Sequence, residues 1–222
     1  MTTMQMPVNE TKRIEVLKKY QILDTPPDGA FDRITQLASS IFNVPIAIIS
    51  LVDTDRIWFK SHHGLPIHQI DREPGLCASA ILSTDSYTVE NAIEDPRTLA
   101  NPLVAGEFGL RFYAAAPLQT AEAYSLGTLC IIDKKPRIFN QQEKQILKDL
   151  AAVVMDEMEL RLTLRETVQK IKNISSDISG HIKDTIKNVK TTSDEGSNTK
   201  LLSHLEASHL FLMNMENGLD HL

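Results

Sequence analysis

Cysteine is nearly absent. The chain has two, Cys77 and Cys130, and in a reducing cytosol such a pair is expected as free thiols rather than as a disulfide framework. Neither has histidines beside it, so no zinc site is expected there. Proline stops at Pro136, and beyond Phe139 the one remaining aromatic is Phe211. No lysine- or arginine-rich block interleaved with aromatics occurs, and the net charge is -6 with a sequence pI near 5.6. This excludes a nucleic-acid groove and argues equally against a membrane-surface role. The longest apolar run, VPIAIISLV at 44–52, is too short to span a bilayer, and MTTMQMPVNETKR lacks the apolar core of a secretion signal. A cytoplasmic protein without membrane or nucleic-acid partners is expected.

What is present divides in two. At 222 residues with 42% apolar content, the chain can bury one core and carry an appendage. Residues 1–8 are expected to be disordered, 9–160 to form a domain, and 161–222 to form helices. Up to about residue 140, turn signals (DTPPDG, PIHQIDREPG, EDPR, DKKPR) separate short apolar runs, the pattern of an α+β domain. NETKRIEVLKKYQIL reads as an amphipathic helix with Ile14, Leu17 and either Val16 or Tyr20 inward. The segment after Pro-Pro-Asp-Gly reads as a second helix, burying Phe31, Ile34, Leu37, Ile41 and Phe42. PIAIISLVD is rich in β-branched residues and continuously apolar, which fits a central strand covered on both faces. RIWFKSHHGL reads as its hairpin partner, and YTVEN, RFYAAAPL and LGTLCIID as three further strands.

After residue 140 everything reads as helix. A largely apolar stripe recurs at three- and four-residue steps from Ile146 through Leu150, Val153 or Val154, Glu157, Leu160, Leu164, Val168, Ile171, Ile174, Ile178, Ile182 and Ile186 to Val189. That is about twelve turns at 3.6 residues each. A stripe that long has no core of its own and is expected to pair with its twin in a parallel homodimer. TTSDEGSNT (191–199) reads as a polar turn, and a second stripe runs from Leu201 to Leu222. A helical hairpin follows, two of which would make a dimeric four-helix bundle.

Few residues suggest chemistry. His62 and His63 are adjacent on a strand and point to opposite faces, so with His68 in a loop they do not converge on a metal or heme, and no metal is expected. Cys77 lies where CASAI opens a helix, a setting that favours a thiolate, and reads either as a nucleophile or redox sensor or as a packed core residue. Cys130, inside the apolar strand GTLCIID, reads as core. Asp95, Arg97 and Asn101 in EDPRTLANP either bind a polar ligand group or serve the loop locally. Trp58, Phe112 and Tyr113 either pack in the core or stack on a ligand at a pocket mouth.

The segments LDTPPDGAFDRI, VPIAIISLVDTDRIWFKSHHGL, CASAI, EDPRTLANPLV, LRFYAAAPL and LGTLCIIDKKPR together resemble a GAF domain of the bacterial signalling type. The resemblance implies a sensory module: a central antiparallel sheet with helices on one side at a dimer face and loops on the other around a small-molecule pocket. It makes Trp58, Cys77, Arg97, Asn101, Phe112 and Tyr113 the candidate ligand-binding residues. The Asn-Lys-x-Phe-Asp-Glu signature of cyclic-nucleotide-binding relatives does not occur. Leu76, Ser79 and Ala115 depart from the phenylalanine, histidine and glycine common at those places, so ligand and cofactor stay open.

Residues 165–222 resemble the dimerisation and phosphotransfer hairpin of sensor histidine kinases. With Ser179 set on the serine of the phosphoacceptor box, Gly180 takes the acceptor position, His181 that of the acid, and no proline follows. No glycine-rich ATP-binding segment is seen. The chain is therefore expected to be a non-enzymatic, homodimeric signal-transduction sensor. Its small-molecule-responsive domain would act through a coiled helix on a pseudo-phosphotransfer bundle, and a kinase or response regulator would be its partner. The alternatives are a phosphotransfer protein or sensor-kinase fragment using His181, a ligand-free dimeric scaffold, and a small-molecule reductase using Cys77.

Overall fold

The computed structural model describes residue 7, residues 9–192 and residues 199–219. Of the start expected to be disordered, residues 1–6 and 8 lie outside the described residues, as do the centre of the polar turn, 193–198, and the end of the second stripe at Leu222. The chain separates into two compact units, Met1–Leu160 and Arg161–Leu222.

The first unit is an α+β GAF fold. Two helices, α1 (Glu10–Lys19) and α2 (Gly29–Phe42), precede the hairpin of β1 (Ile46–Val52) and β2 (Arg56–His63). Then come β3 (Gln69–Asp71), α3 (Leu76–Ala80), β4 (Tyr87–Val89), α4 (Pro102–Ala105), β5 (Phe112–Gln119) and β6 (Ser125–Asp133). The six strands form one sheet in the order β3-β2-β1-β6-β5-β4, with every pairing antiparallel. β1 and β6 occupy its centre, which is why IAIISLV is apolar on both of its faces. α1 and α2 cover one face, while α3 packs on the other against β1, β5 and β6. The β1–β2 ladder shifts register after Ile49: Ile49 faces Ser61 and Ser50 faces Phe59, so Lys60 is an extra residue, a β-bulge.

Local chemistry sets the helix starts. Asp28 caps α2 by accepting from the Ala30 amide at 3.0 Å, and Asn101 caps α4 by accepting from Leu103 at 2.9 Å. The long helix α5 (Gln141–Thr192) opens with a reciprocal capping box, Asn140 and Glu143 each accepting the other's amide at 2.9 Å. Its first turns bury Leu147, Ala151, Val154, Met155 and Met158 in the first unit.

Three sequence expectations change. α2 buries Phe31, Thr35, Ala38, Ser39 and Phe42, while Leu37 and Ile41 face outward. Between Phe31 and Phe42 the buried residues Thr35, Ala38 and Ser39 are small and let the helix lie close on the sheet, while Leu37 and Ile41 fall on the other side. β3 lies within PIHQIDREPG, which had read as loop; three residues at a sheet edge carry no periodicity to detect. In α1, Ile14, Leu17 and Tyr20 are inward, but so is Arg13. It is neutralised there by Glu10, whose carboxylate accepts from Arg13 and Arg72 at 2.7 Å each.

The second unit pairs the later part of α5 with α6 (Thr199–Leu219). The single stripe read from the sequence is two seams on α5. Val168, Lys172, Ser175, Ser179, Ile182, Ile186 and Val189 are the less exposed seam. Leu164, Ile171, Ile174 and Ile178 are exposed. Leu202, Leu205, His209, Leu212, Met215 and Leu219 are the less exposed side of α6, and Ser179 and His209 bond across the hairpin at 2.8 Å.

Candidate functional site

Six residues were expected around one ligand, and the sheet distributes them over two faces. Phe112 and Tyr113 are strand neighbours and so point oppositely. Phe112 packs with Phe139 on the α2 side, ring centroids 5.5 Å apart, while Tyr113 belongs to the apolar cluster under α3. Trp58 lies on the α2 side as well, beneath Lys60. Cys77 and Tyr113 do meet. The Tyr113 hydroxyl donates to Cys77 Sγ at 3.3 Å, and Tyr87 packs edge-on against Tyr113 with the Arg97 guanidinium 4.7 Å above its own ring. Arg97 is held in place by Asp95 and by the Thr88 carbonyl, to which it donates at 2.8 Å. Asn101 is occupied with capping α4 and with donating to the Pro74 carbonyl.

Under α3 the packing is dense and contains a small polar island. Ser50, Cys77, Tyr113, Thr128 and Cys130 are all buried among aliphatic side chains. Ser50 and Thr128 hydroxyls lie 2.9 Å apart. The two sulfurs, 53 positions apart in sequence, are in contact at 4.0 Å. Cys130 hydrogen-bonded to Cys77 holds the Cys77 thiol below its ordinary value, with help from the hydroxyls of Ser50, Tyr113 and Thr128 and against burial. The same contact and burial push Cys130 up, so Cys77 is the sulfur that ionises first. Sequence spacing had no means of bringing the two together.

An open groove of about 640 Å³ lies on the other side, between α2 and the second half of β2. Asp24, Thr25, Asp32 and Thr35 line one wall, and Trp58, Lys60, Ser61, His62 and His68 the other. The bulge places Lys60 and Ser61 in succession toward α2. Lys60 donates to Thr25 Oγ1 and the Pro26 carbonyl at 2.8 Å each and lies 5.4 Å from the Phe31 ring centroid. Ser61 donates to Asp32 at 2.6 Å and contacts the Thr35 hydroxyl at 2.9 Å. His62 and His68 face each other at 3.1 Å. Burial, and then the charge of His68, push the His62 ring below its ordinary value, so it is neutral at physiological pH. The groove thus offers ring nitrogens and carboxylates beside an aromatic floor, a surface for a small polar molecule. Sequence reading had treated the histidines only as failed metal ligands. Among the described residues no group of three or more metal-ligating side chains converges, and no helix is long and apolar enough to cross a membrane.

A six-stranded antiparallel sheet with helices against one face and short helices and loops on the other is the architecture of the GAF class of fold. Residues 26–158 match the GAF domain family, and the chain belongs to it. It is 40% identical over 168 residues to a cyclic di-GMP phosphodiesterase of Pseudomonas aeruginosa, an alignment that covers 75% of this chain and 28% of that protein. This makes it a GAF-domain protein of signalling. The expectation of a non-enzyme is overturned by the same relative, which is named as a phosphodiesterase, an enzyme. Among solved structures, the free methionine-R-sulfoxide reductase of Neisseria meningitidis shares the fold at 16% identity and a TM-score of 0.52, over 74% of this chain and 99% of that one. The GAF domain of an Acinetobacter phosphoenolpyruvate-protein phosphotransferase does so at 16% identity and 0.51, over 70% and 98%.

In the second unit, His181 is exposed on α5, and its carbonyl accepts from Thr185 Oγ1 at 2.8 Å. It lies seven positions beyond Ile174, on the outward seam, whereas the inward histidine is His209.

Proposed function

We propose that this chain is the regulatory region of a cytoplasmic, homodimeric cyclic di-GMP signalling protein, in which the GAF domain responds to a small molecule and α5 carries the response onward. The observation that supports it best is the outward seam of α5. Leu160, Thr167 and Ile174 are seven positions apart, as are Leu164, Ile171 and Ile178, and the apolar members of both series are exposed. A seven-residue apolar repeat is the pattern of a two-stranded coil, and a second copy of the same helix is its simplest occupant. The ligand enters the groove between α2 and β2, with Trp58 at its floor; Arg97, Asn101 and Tyr113 respond from the far side of the sheet. Ligand that fits one arrangement of the dimer better shifts the population toward it. The kinship with a cyclic di-GMP phosphodiesterase supports an output in turnover of the cyclic dinucleotide.

Native mass spectrometry of the chain purified without additions tests both halves. A dimer carrying a defined extra mass that is lost on Lys60→Ala supports the reading. A monomer at micromolar concentration sinks the dimer, and an empty protein that binds nothing from a metabolite library sinks the sensor.

A second reading rests on the exposure of His181: the hairpin accepts phosphate there from a separate kinase. Acid-labile phosphate on the wild type and none on His181→Ala would support it, and no phosphate on either would remove it.

A further inference from the structure

We propose that Cys77 and Cys130 form a reversible dithiol–disulfide pair, making the core under α3 a site of oxidation by hydroperoxides. The inference goes beyond the ligand and dimer readings and stands without them, since it needs only the first unit.

Four observations carry it. The sulfurs touch at 4.0 Å, and bond formation requires an approach of about 2 Å more. They sit on elements of unequal rigidity. Cys130 is on β6, hydrogen-bonded on both sides to β1 and β5. Cys77 is on α3, five residues long and opened by Gly75 without a side-chain cap. A short helix of this kind is the part that gives, both to close the bond and to open briefly for an oxidant. Second, the pair is asymmetric: Cys77 retains 5% exposure and Cys130 has none, so the outer sulfur meets the reagent and the inner one waits behind it. Third, the hydroxyl of Tyr113 points at Cys77 Sγ at 3.3 Å, where it steadies a thiolate in an otherwise apolar surrounding. Ser50 and Thr128 extend the same hydroxyl cluster. Fourth, other apolar residues of this core, such as Ile48, Ile57 and Leu110, are aliphatic. Packing alone does not require two sulfurs and three hydroxyls to share one place.

The reaction balances with a hydroperoxide as the named oxidant. The Cys77 thiolate attacks the terminal oxygen, the O–O bond breaks, and the alkoxide or hydroxide leaves and takes up a proton. Cys77 is then a sulfenic acid. The Cys130 sulfur attacks the Cys77 sulfur, the S–O bond breaks, and the hydroxide departs with the Cys130 proton as water. Two thiols and one hydroperoxide become one disulfide, one alcohol or water, and one water. A dithiol reductant reverses it.

The test uses the full chain, treated with a few equivalents of hydrogen peroxide, quenched with catalase, unfolded in urea and alkylated. The expected result is a protein two hydrogens lighter that takes up no alkyl group. It yields a proteolytic fragment joining Cys77 to Cys130, and dithiothreitol restores both thiols. Cys130→Ser is expected to stop at a Cys77 sulfenic acid that dimedone traps, and Cys77→Ser to lower thiol loss at least tenfold. Two alkylated thiols in peroxide-treated wild type would overturn the proposal. So would a link between two chains, or over-oxidation of Cys77 with Cys130 left free. Because the wild-type result decides, a variant that folds poorly does not protect the idea.

Discussion

In the first unit, Leu17, Phe31, Ile49, Leu51, Phe112, Leu118 and Leu129 are wholly buried. In the second, Leu164, Ile174 and Leu210 keep more than half of their surface exposed, at 55%, 60% and 59%. The contrast is sharper within α5 itself. Its inward seam in the hairpin carries Lys172, Ser175 and Ser179 among its apolar residues, and Ser175 Oγ is buried without a partner among the described residues. Its outward seam is the more apolar of the two. The homodimer proposed above would cover the helix's better apolar face, while a sheet sealed on both faces needs no second chain. The first unit also tolerates charge inside by pairing it; the second tolerates polarity by keeping its packing loose.

The largest test of that difference is Glu10→Gln. It leaves Arg13 and Arg72 buried without a carboxylate, and the first unit is expected to lose about 3–5 kcal/mol by urea denaturation, with the hairpin unmoved. Acid should imitate it. Burial pushes the Glu10 carboxyl up, but Arg13 and Arg72 bonded to it outweigh burial and hold it below its ordinary 4.5. Its stabilisation is therefore complete above about that pH and is lost as pH falls through the depressed value, and the Gln variant should lack this part of the acid slope. Next comes Ile174→Asp on the outward seam. Dimer dissociation measured by sedimentation is expected to rise about a hundredfold, about 2.7 kcal/mol, with the melting of the first unit unchanged. An unchanged dimer would break the comparison. Ser179→Ala removes the partner of His209 and is expected to cost the hairpin about 1 kcal/mol by circular dichroism. The smallest effect is Gly180→Ala. An added Cβ there meets nothing within 4 Å, so the helix should gain about 0.5–1 kcal/mol.

Most of the fold was legible because strands and helices announce themselves by period. The five strands read from PIAIISLVD, RIWFKSHHGL, YTVEN, RFYAAAPL and LGTLCIID are β1, β2, β4, β5 and β6. β3 was not legible, being three edge residues paired with Arg56, Ile57 and Trp58. α2 misled because Ile34, Leu37 and Ile41 make an apolar stripe as regular as the one that packs, and only the sheet decides between them. The candidate site was legible residue by residue but not as a place. Cys77 and Tyr113 were both singled out, yet their meeting with Cys130 depends on β1 separating β2 from β6 and on α3 crossing beneath them, which no local pattern encodes. The groove went unread for a related reason: its lysine and serine face α2 in succession, against strand alternation.

That departure from alternation begins at Lys60. A strand deals its side chains left and right like a two-stroke engine, and the bulge makes it skip a beat. Before the skip, Ile57 and Phe59 fire toward the sulfur side and Trp58 toward α2; at it, Lys60 and Ser61 both take the α2 stroke. One surplus residue thus lets a single ribbon furnish a greasy wall to one chamber and a hydrophilic wall to the other. Deleting Lys60 would restore plain alternation with Ser61 still paired to Ile49, so the α2 side would lose its lysine while the sulfur side kept its wall.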